Sequence, residues 1–238
     1  MMAPCDCSAY ISISEANTYA FGDPTVYLTV TRIQKDRMPQ AMLSDLGTHE
    51  ASQWRQRVSL KAQANYWAAR CLGKQLLVEQ VGGGWQDWEI LNSPNGVPLV
   101  YRLGERSTEC LSIAHSGEWV VCALSTDGLP VGVDIERIKS RTHLSEMIRS
   151  LAHPSELFWL EQQHTASLNM MYRYWTAKEA LAKWDGCALG SSRLREMGLD
   201  FSASTWVLTK SNGAKYPVQH FVIEHTDYVG AWIVGCCA

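Results

Sequence analysis

The strongest constraint on this chain is an internal repeat. Leu28-Thr29-Val30-Thr31-Arg32-Ile33 lines up with Val133-Asp134-Ile135-Glu136-Arg137-Ile138 at an offset of 105, and Tyr66-Trp67-Ala68-Ala69-Arg70 with Tyr174-Trp175-Thr176-Ala177-Lys178 at 108. Val120-Val121-Cys122-Ala123-Leu124 lines up with Ile233-Val234-Gly235-Cys236-Cys237 at 113. Three matches in the same order, with slowly rising offsets, predict a duplicated strand, helix, strand unit. The 238 residues then divide into halves at 1–126 and 127–238, each near the ~100–150 residues of a small domain.

Alternation predicts strands over residues 25–33, 111–115, 119–125 and 131–138, with further candidates at 205–209, 218–224 and 228–237. Helical spacing runs over 53–78, 143–164 and 171–186, broken by Gly82-Gly83-Gly84 in the first case and ended by Gly186 in the last. Helices and strands mix without strict βα alternation, so the expected class is α+β, each half a small antiparallel sheet packed on a long helix.

Hydrophobic residues make up 46% of the chain and charged residues 19%, enough apolar surface for a core in each half. A net charge of −3 is the wrong sign for gripping a nucleic-acid backbone. The chain contains no run of eighteen apolar residues, and MMAPCDCSAY lacks the flanks of a signal peptide, so a cytoplasmic protein away from membranes is expected. Cys71, Cys110 and Cys122 sit in apolar stretches as small hydrophobes, while Cys5, Cys7, Cys236 and Cys237 have no zinc-knuckle spacing.

The halves differ in their acids. Thr29, Thr31 and Cys71 of the first copy become Asp134, Glu136 and Glu179 in the second. In VGVDIERI, Gly132, Asp134 and Glu136 share one face, and like charges side by side call for a cation between them. A solvated face neutralised by Arg137 or Lys139 is the alternative. Trp175, Glu179 and Lys183 lie on one helix face, where Glu179 and Lys183 could also be an ordinary i,i+4 pair worth only ~0.3 kcal/mol. Together, the strand and the helix offer three carboxylates for a hard cation such as Mg²⁺, and a lysine one turn away for phosphate. His115 ends a strand before Ser116-Gly117 and is placed either for a phosphate or for a structural hydrogen bond.

GVDIE, followed some forty residues later by WTAKEALAK and preceded by IAHSG, resembles the 4′-phosphopantetheinyl transferase superfamily in its two-repeat, monomeric, surfactin-synthetase-activating branch. The resemblance is best over residues 92–190, and weaker over the helix at 55–76. It implies a holo-[acyl-carrier-protein] synthase-type enzyme that moves the phosphopantetheine arm of coenzyme A to a serine of an apo acyl or peptidyl carrier protein, releasing adenosine 3′,5′-bisphosphate. The family's Mg²⁺ ligands (Mn²⁺ can substitute) fall on Asp134, Glu136 and Glu179, and its catalytic groups on Glu179, Lys183 and His115. Coenzyme A contacts fall on Asn95, Gly96, Pro98, Ser112, His115 and Lys183, with Arg55 and Arg57 standing in for a lysine that this chain replaces by Val97. Arg137, Lys139 and Arg141, with Arg149 and the apolar residues 157–160, are expected to dock the acidic carrier. A Mg²⁺-dependent phosphohydrolase, or a degenerate coenzyme A or carrier-binding module, remains open on the residues alone.

Overall fold

The computed structural model describes residues 10–13, 17–21, 26–33, 40–162, 168–187, 189, 191–201, 205–210 and 213–235. Cys5, Cys7, Cys236 and Cys237 lie outside them. The elements are β1 (Tyr10–Ile13), β2 (Thr18–Phe21), β3 (Val26–Arg32), α1 (Thr48–Arg55), α2 (Leu60–Gln80), β4 (Trp88–Asn92), β5 (Pro98–Arg102), β6 (Glu105–Arg106), β7 (Cys110–Ser116), β8 (Trp119–Ser125) and β9 (Val131–Arg137). They continue as α3 (Leu144–Leu151), α4 (Pro154–Gln162), α5 (Leu168–Asp185), α6 (Ser192–Arg195), β10 (Gly198–Asp200), β11 (Trp206–Thr209), β12 (Lys215–Ile223) and β13 (Tyr228–Val234). One compact unit takes residues 14–131, and the other takes residues from 132 onward together with β1. The boundary by contacts therefore lies five residues beyond the sequence-based one at 126.

In the first unit the sheet runs β2-β3-β8-β7, and a separate small sheet runs β4-β5-β6. Alanines let α2 approach the sheet closely while leucines fill the space between: Ala64, Ala68, Ala69, Leu72, Leu76 and Leu77 of α2 are buried in one core with Val120, Cys122 and Leu124 of β8. In the second unit the order is β10-β11-β12-β13-β9, antiparallel where registers pair β10 to β13, with β1 joining β12 in parallel. Ala177, Ala180 and Leu181 of α5 are buried with Val229, Ala231 and Ile233 of β13. The expected helix at 143–164 is two, because Pro154 has no amide hydrogen to continue α3 and instead starts α4. The helix expected at 53–78 is likewise α1 and α2, with Ser59 Oγ accepting from Ala62 N to start the second. Gly186, at φ +69°, ends α5 as its position in the sequence predicts, with Cys187 N bonding back to Ala182 O.

The two units repeat contacts as well as elements. Arg32 pairs with Glu118 and Arg137 with Asp227. Ile33 N donates to Glu118 O, as Ile138 N does to Asp227 O. The structural offset between β8 and β13 is therefore 109, from Glu118 to Asp227, rather than the 113 of the sequence match. A buried carboxylate at the start of a helix also recurs. Glu50 accepts from Gly47 N and Ile90 N and pairs with Lys74 at 2.7 Å. Glu156 accepts from His153 N, Leu199 N and Tyr174 Oη and pairs with Lys178 at 3.2 Å.

Lys178 also donates to Met197 O and Leu194 O, so a fully buried ammonium is saturated by one carboxylate and two carbonyls. Lys178→Met should strand the Glu156 charge and lower unfolding free energy by about 3–5 kcal/mol, read from the urea midpoint. The double variant Lys178→Met/Glu156→Leu should recover part of that loss. His220 is buried against Trp206, with its ring nitrogen 3.3 Å from Arg173 O. Burial first, and then the Arg173 charge, push it down to about 3 from 6.5. The folded state thus keeps His220 neutral, and stability present above pH 6.5 is lost as pH falls toward 3. Between about pH 7 and pH 5 the loss should be about 2 kcal/mol, and urea unfolding of His220→Phe should lack that increment.

Candidate active site

The site is built by one close approach. A Cβ on Gly132 would stand 2.0 Å from Ala180 O and 2.7 Å from Trp184 N, so the backbone of α5 rests directly on β9. Strand alternation puts Asp134 and Glu136 on the same side as Gly132, and helical spacing puts Glu179 and Lys183 one turn apart on the facing helix. Asp134 Oδ1 then meets Lys183 Nζ at 2.9 Å, and the same ammonium donates to Val133 O at 2.9 Å. Glu136 Oε2 meets Arg141 Nη2 at 3.1 Å. The cation partner of Glu136 is therefore Arg141, and Arg137 turns instead to Asp227 at 2.8 Å.

Two cations face three carboxyl groups, and the third is left short of positive charge. Burial first, and then the Asp134 charge, push Glu179 up to about 8, against the Lys183 charge that pulls it down. Burial also raises Asp134, opposed chiefly by Lys183. Asp134 Oδ2 is buried without a hydrogen-bond partner of good geometry. An orphaned carboxylate oxygen beside two more carboxyl groups, with no sulfur or nitrogen ligand among them, fits a hard divalent cation. Among the described residues, no three His, Cys, Asp or Glu side chains already stand as a closed metal cage. Asp134 and Glu136 are instead shared with Lys183 and Arg141.

The other expected residues lie in the first unit. His115 is exposed at the end of β7, whereas Ser112, three residues earlier and on the opposite strand face, is buried at 3% exposure. Asn95 and Gly96 are exposed in the turn before β5, with Gly96 at φ +83°, and Pro98 opens that strand. Arg55 is exposed at the end of α1, while the Arg57 guanidinium lies over the Tyr66 ring at 4.9 Å. Arg70, the counterpart of Lys178, is buried on Ile90 O and Asn92 Oδ1. In the second unit, Lys139 is exposed.

The first-unit positions matching the acidic cluster carry no carboxylate. Thr31, Cys71 and Gln75 line a cleft of about 280 Å³ with Trp67, Trp85 and Arg32. Burial pushes the Cys71 thiol up to about 12, so it stays protonated at neutral pH. The matched pair Glu50 and Glu156 falls outside the repeat segments legible in the sequence. Its signal is a Glu at the third position of each helix, the capping-box spacing.

Residues 130–237 match the model of the 4′-phosphopantetheinyl transferase superfamily. The chain is 28% identical to the 4′-phosphopantetheinyl transferase gsp of Aneurinibacillus migulanus over 160 residues, 63% of this chain and 62% of that one. It is 33% identical over 113 residues to a putative 4′-phosphopantetheinyl transferase of Synechocystis, covering 47% and 45% of the two chains. A holo-[acyl-carrier-protein] synthase of Streptococcus pyogenes is 35% identical over 65 residues, 25% of this chain and 55% of that one. The chain thus spans less than two thirds of the length of each of these relatives.

Gly132→Ala should force α5 off β9, because the added methyl meets backbone that cannot rotate away. Urea unfolding should show a loss of about 1–3 kcal/mol, the usual cost of overpacking.

Proposed function

We propose that the chain is a holo-[acyl-carrier-protein] synthase-type 4′-phosphopantetheinyl transferase, moving the phosphopantetheine arm of coenzyme A to a serine of an apo carrier protein with release of adenosine 3′,5′-bisphosphate. The observation that carries this reading is the convergence of Asp134, Glu136, Glu179 and Lys183 inside the very segment that matches the family.

Asp134, Glu136 and Glu179 are the residues to hold Mg²⁺, which when bound would neutralise the pyrophosphate of coenzyme A. Lys183, paired with Asp134, is the residue proposed to stabilise negative charge on the leaving phosphate. Glu179 is the candidate to receive the serine proton, directly or through a water, once a bound cation holds it ionised. His115, Asn95, Gly96, Pro98, Arg55 and Arg57 are proposed toward coenzyme A, and His115 and Arg55 have the exposure that role requires.

For the carrier, the exposed side chains of the second unit offer both charge and apolar surface. Lys139 and Arg149 are exposed, and Met147, Leu157 and Phe158 of α3 and α4 are 37%, 36% and 69% exposed. This is the composition expected for docking an acidic amphipathic helix. We propose a monomer acting in the cytoplasm. No helix among the described residues is long and apolar enough to cross a membrane.

The test is to incubate the protein with coenzyme A, Mg²⁺ and an apo carrier protein and to weigh the carrier. Wild type should add one phosphopantetheine arm, and Glu179→Gln should transfer about 10²-fold more slowly or worse in a single turnover. Near wild-type transfer by Glu179→Gln would remove that residue from both its roles. Phosphate release without carrier would instead mark a phosphohydrolase, and binding without turnover a degenerate module.

A further inference from the structure

The acidic cluster has a second cation that lies outside both the GVDIE and the WTAKEALAK segments. Arg141 stands between β9 and α3, and three contacts fix it there. Its guanidinium sits over the Tyr172 ring at 5.6 Å, its Nη2 donates to Glu136 Oε2 at 3.1 Å, and Tyr172 Oη pins the nearby backbone through Lys139 O at 2.9 Å. The two partners are 28% and 18% exposed, so the pair is shielded but not sealed. Arg137, the last residue of β9, pairs with Asp227, and Arg141, four residues on, pairs with Glu136. A planar guanidinium held by a ring and a pinned loop keeps its place at little entropic cost. Any cation that uses Glu136 Oε2 must therefore share that oxygen with Arg141 or displace it.

We propose that Arg141 sets the divalent-cation affinity of the cluster by competing for Glu136, holding it below what the three carboxylates alone would reach. The inference rests on the cation site of the preceding section. It makes Arg141 a positioning residue for Glu136 rather than a carrier-docking residue, which moves it out of the role its place in the basic run suggests. The physical basis is that one positive charge beside a partly exposed carboxylate opposes a dication on that carboxylate, by an amount worth about tenfold in affinity at the dielectric of such a site. Added salt screens the effect.

The test uses Mn²⁺ alone, without coenzyme A or carrier, titrated into the full-length protein and followed by the electron paramagnetic resonance of the free ion. Arg141→Gln should bind Mn²⁺ about tenfold more tightly than wild type. Arg141→Lys, which keeps the charge, should stay within about twofold, and the gap should shrink at high salt. A purely structural role would weaken binding in both variants and would not follow charge. Unchanged or weaker binding by Arg141→Gln, while Asp134→Asn still abolishes binding, overturns the role of Arg141 and leaves the cation site standing. Absence of Mn²⁺ binding in wild type, or binding indifferent to Asp134→Asn, removes the cation site and this inference with it.

Discussion

The acidic cluster depends on the missing side chain of Gly132. With no Cβ at that position, the backbone of α5 descends onto β9 to a distance that no other residue allows. A second glycine, Gly230 of β13, brings backbone against the same strand, since a Cβ there would stand 2.5 Å from Asp134 O. Asp134 is thus gripped from the helix side and from its neighbour strand. Its burial, the reach of Lys183 and the raised Glu179 all follow from that confinement.

Among the described residues the acidic cluster stands in the second unit only, although the two units repeat the same contacts. Both units keep the same framework: an Arg closing a strand onto an acidic turn residue, a capping-box Glu buried with a lysine, and a tyrosine one turn before a buried cation on the long helix. These contacts stabilise each unit whether or not it does chemistry, so they persist. The charged positions differ. Thr29, Thr31, Cys71 and Gln75 stand where the second unit has Asp134, Glu136, Glu179 and Lys183. Without the carboxylates the first unit has a cleft walled by Trp67 and Trp85 instead of an acidic cluster.

Charge in the second unit is balanced rather than piled up. Lys183 answers Asp134 and Arg141 answers Glu136, leaving Glu179 to favour its proton. A buried group of like charges would otherwise cost more than the packing around it returns. Each of these contacts, Lys183 to Asp134 and Arg141 to Glu136, is partly exposed rather than sealed in the core.

Much of this is legible in residue order. Alternation in VGVDIERI places both acids on one strand face, and spacing in WTAKEALAK places Glu179 and Lys183 on one helix face, because both are properties of local backbone geometry. The split of residues 143–164 at Pro154 escapes the pattern because apolar spacing continues across the break. The offset of 113 is four residues too long because short apolar strands match in several registers. Partners are beyond the reach of pattern. Lys183 reads as an i,i+4 mate of Glu179 and pairs with Asp134, while Arg141 reads as a docking charge and sits on Glu136. Residue order alone fixes the α+β class, the duplication and the identity of the acids, since each follows from local periodicity or side-chain type. Which cation answers which acid is settled in three dimensions, by how closely α5 and the segment after β9 pack onto the strand.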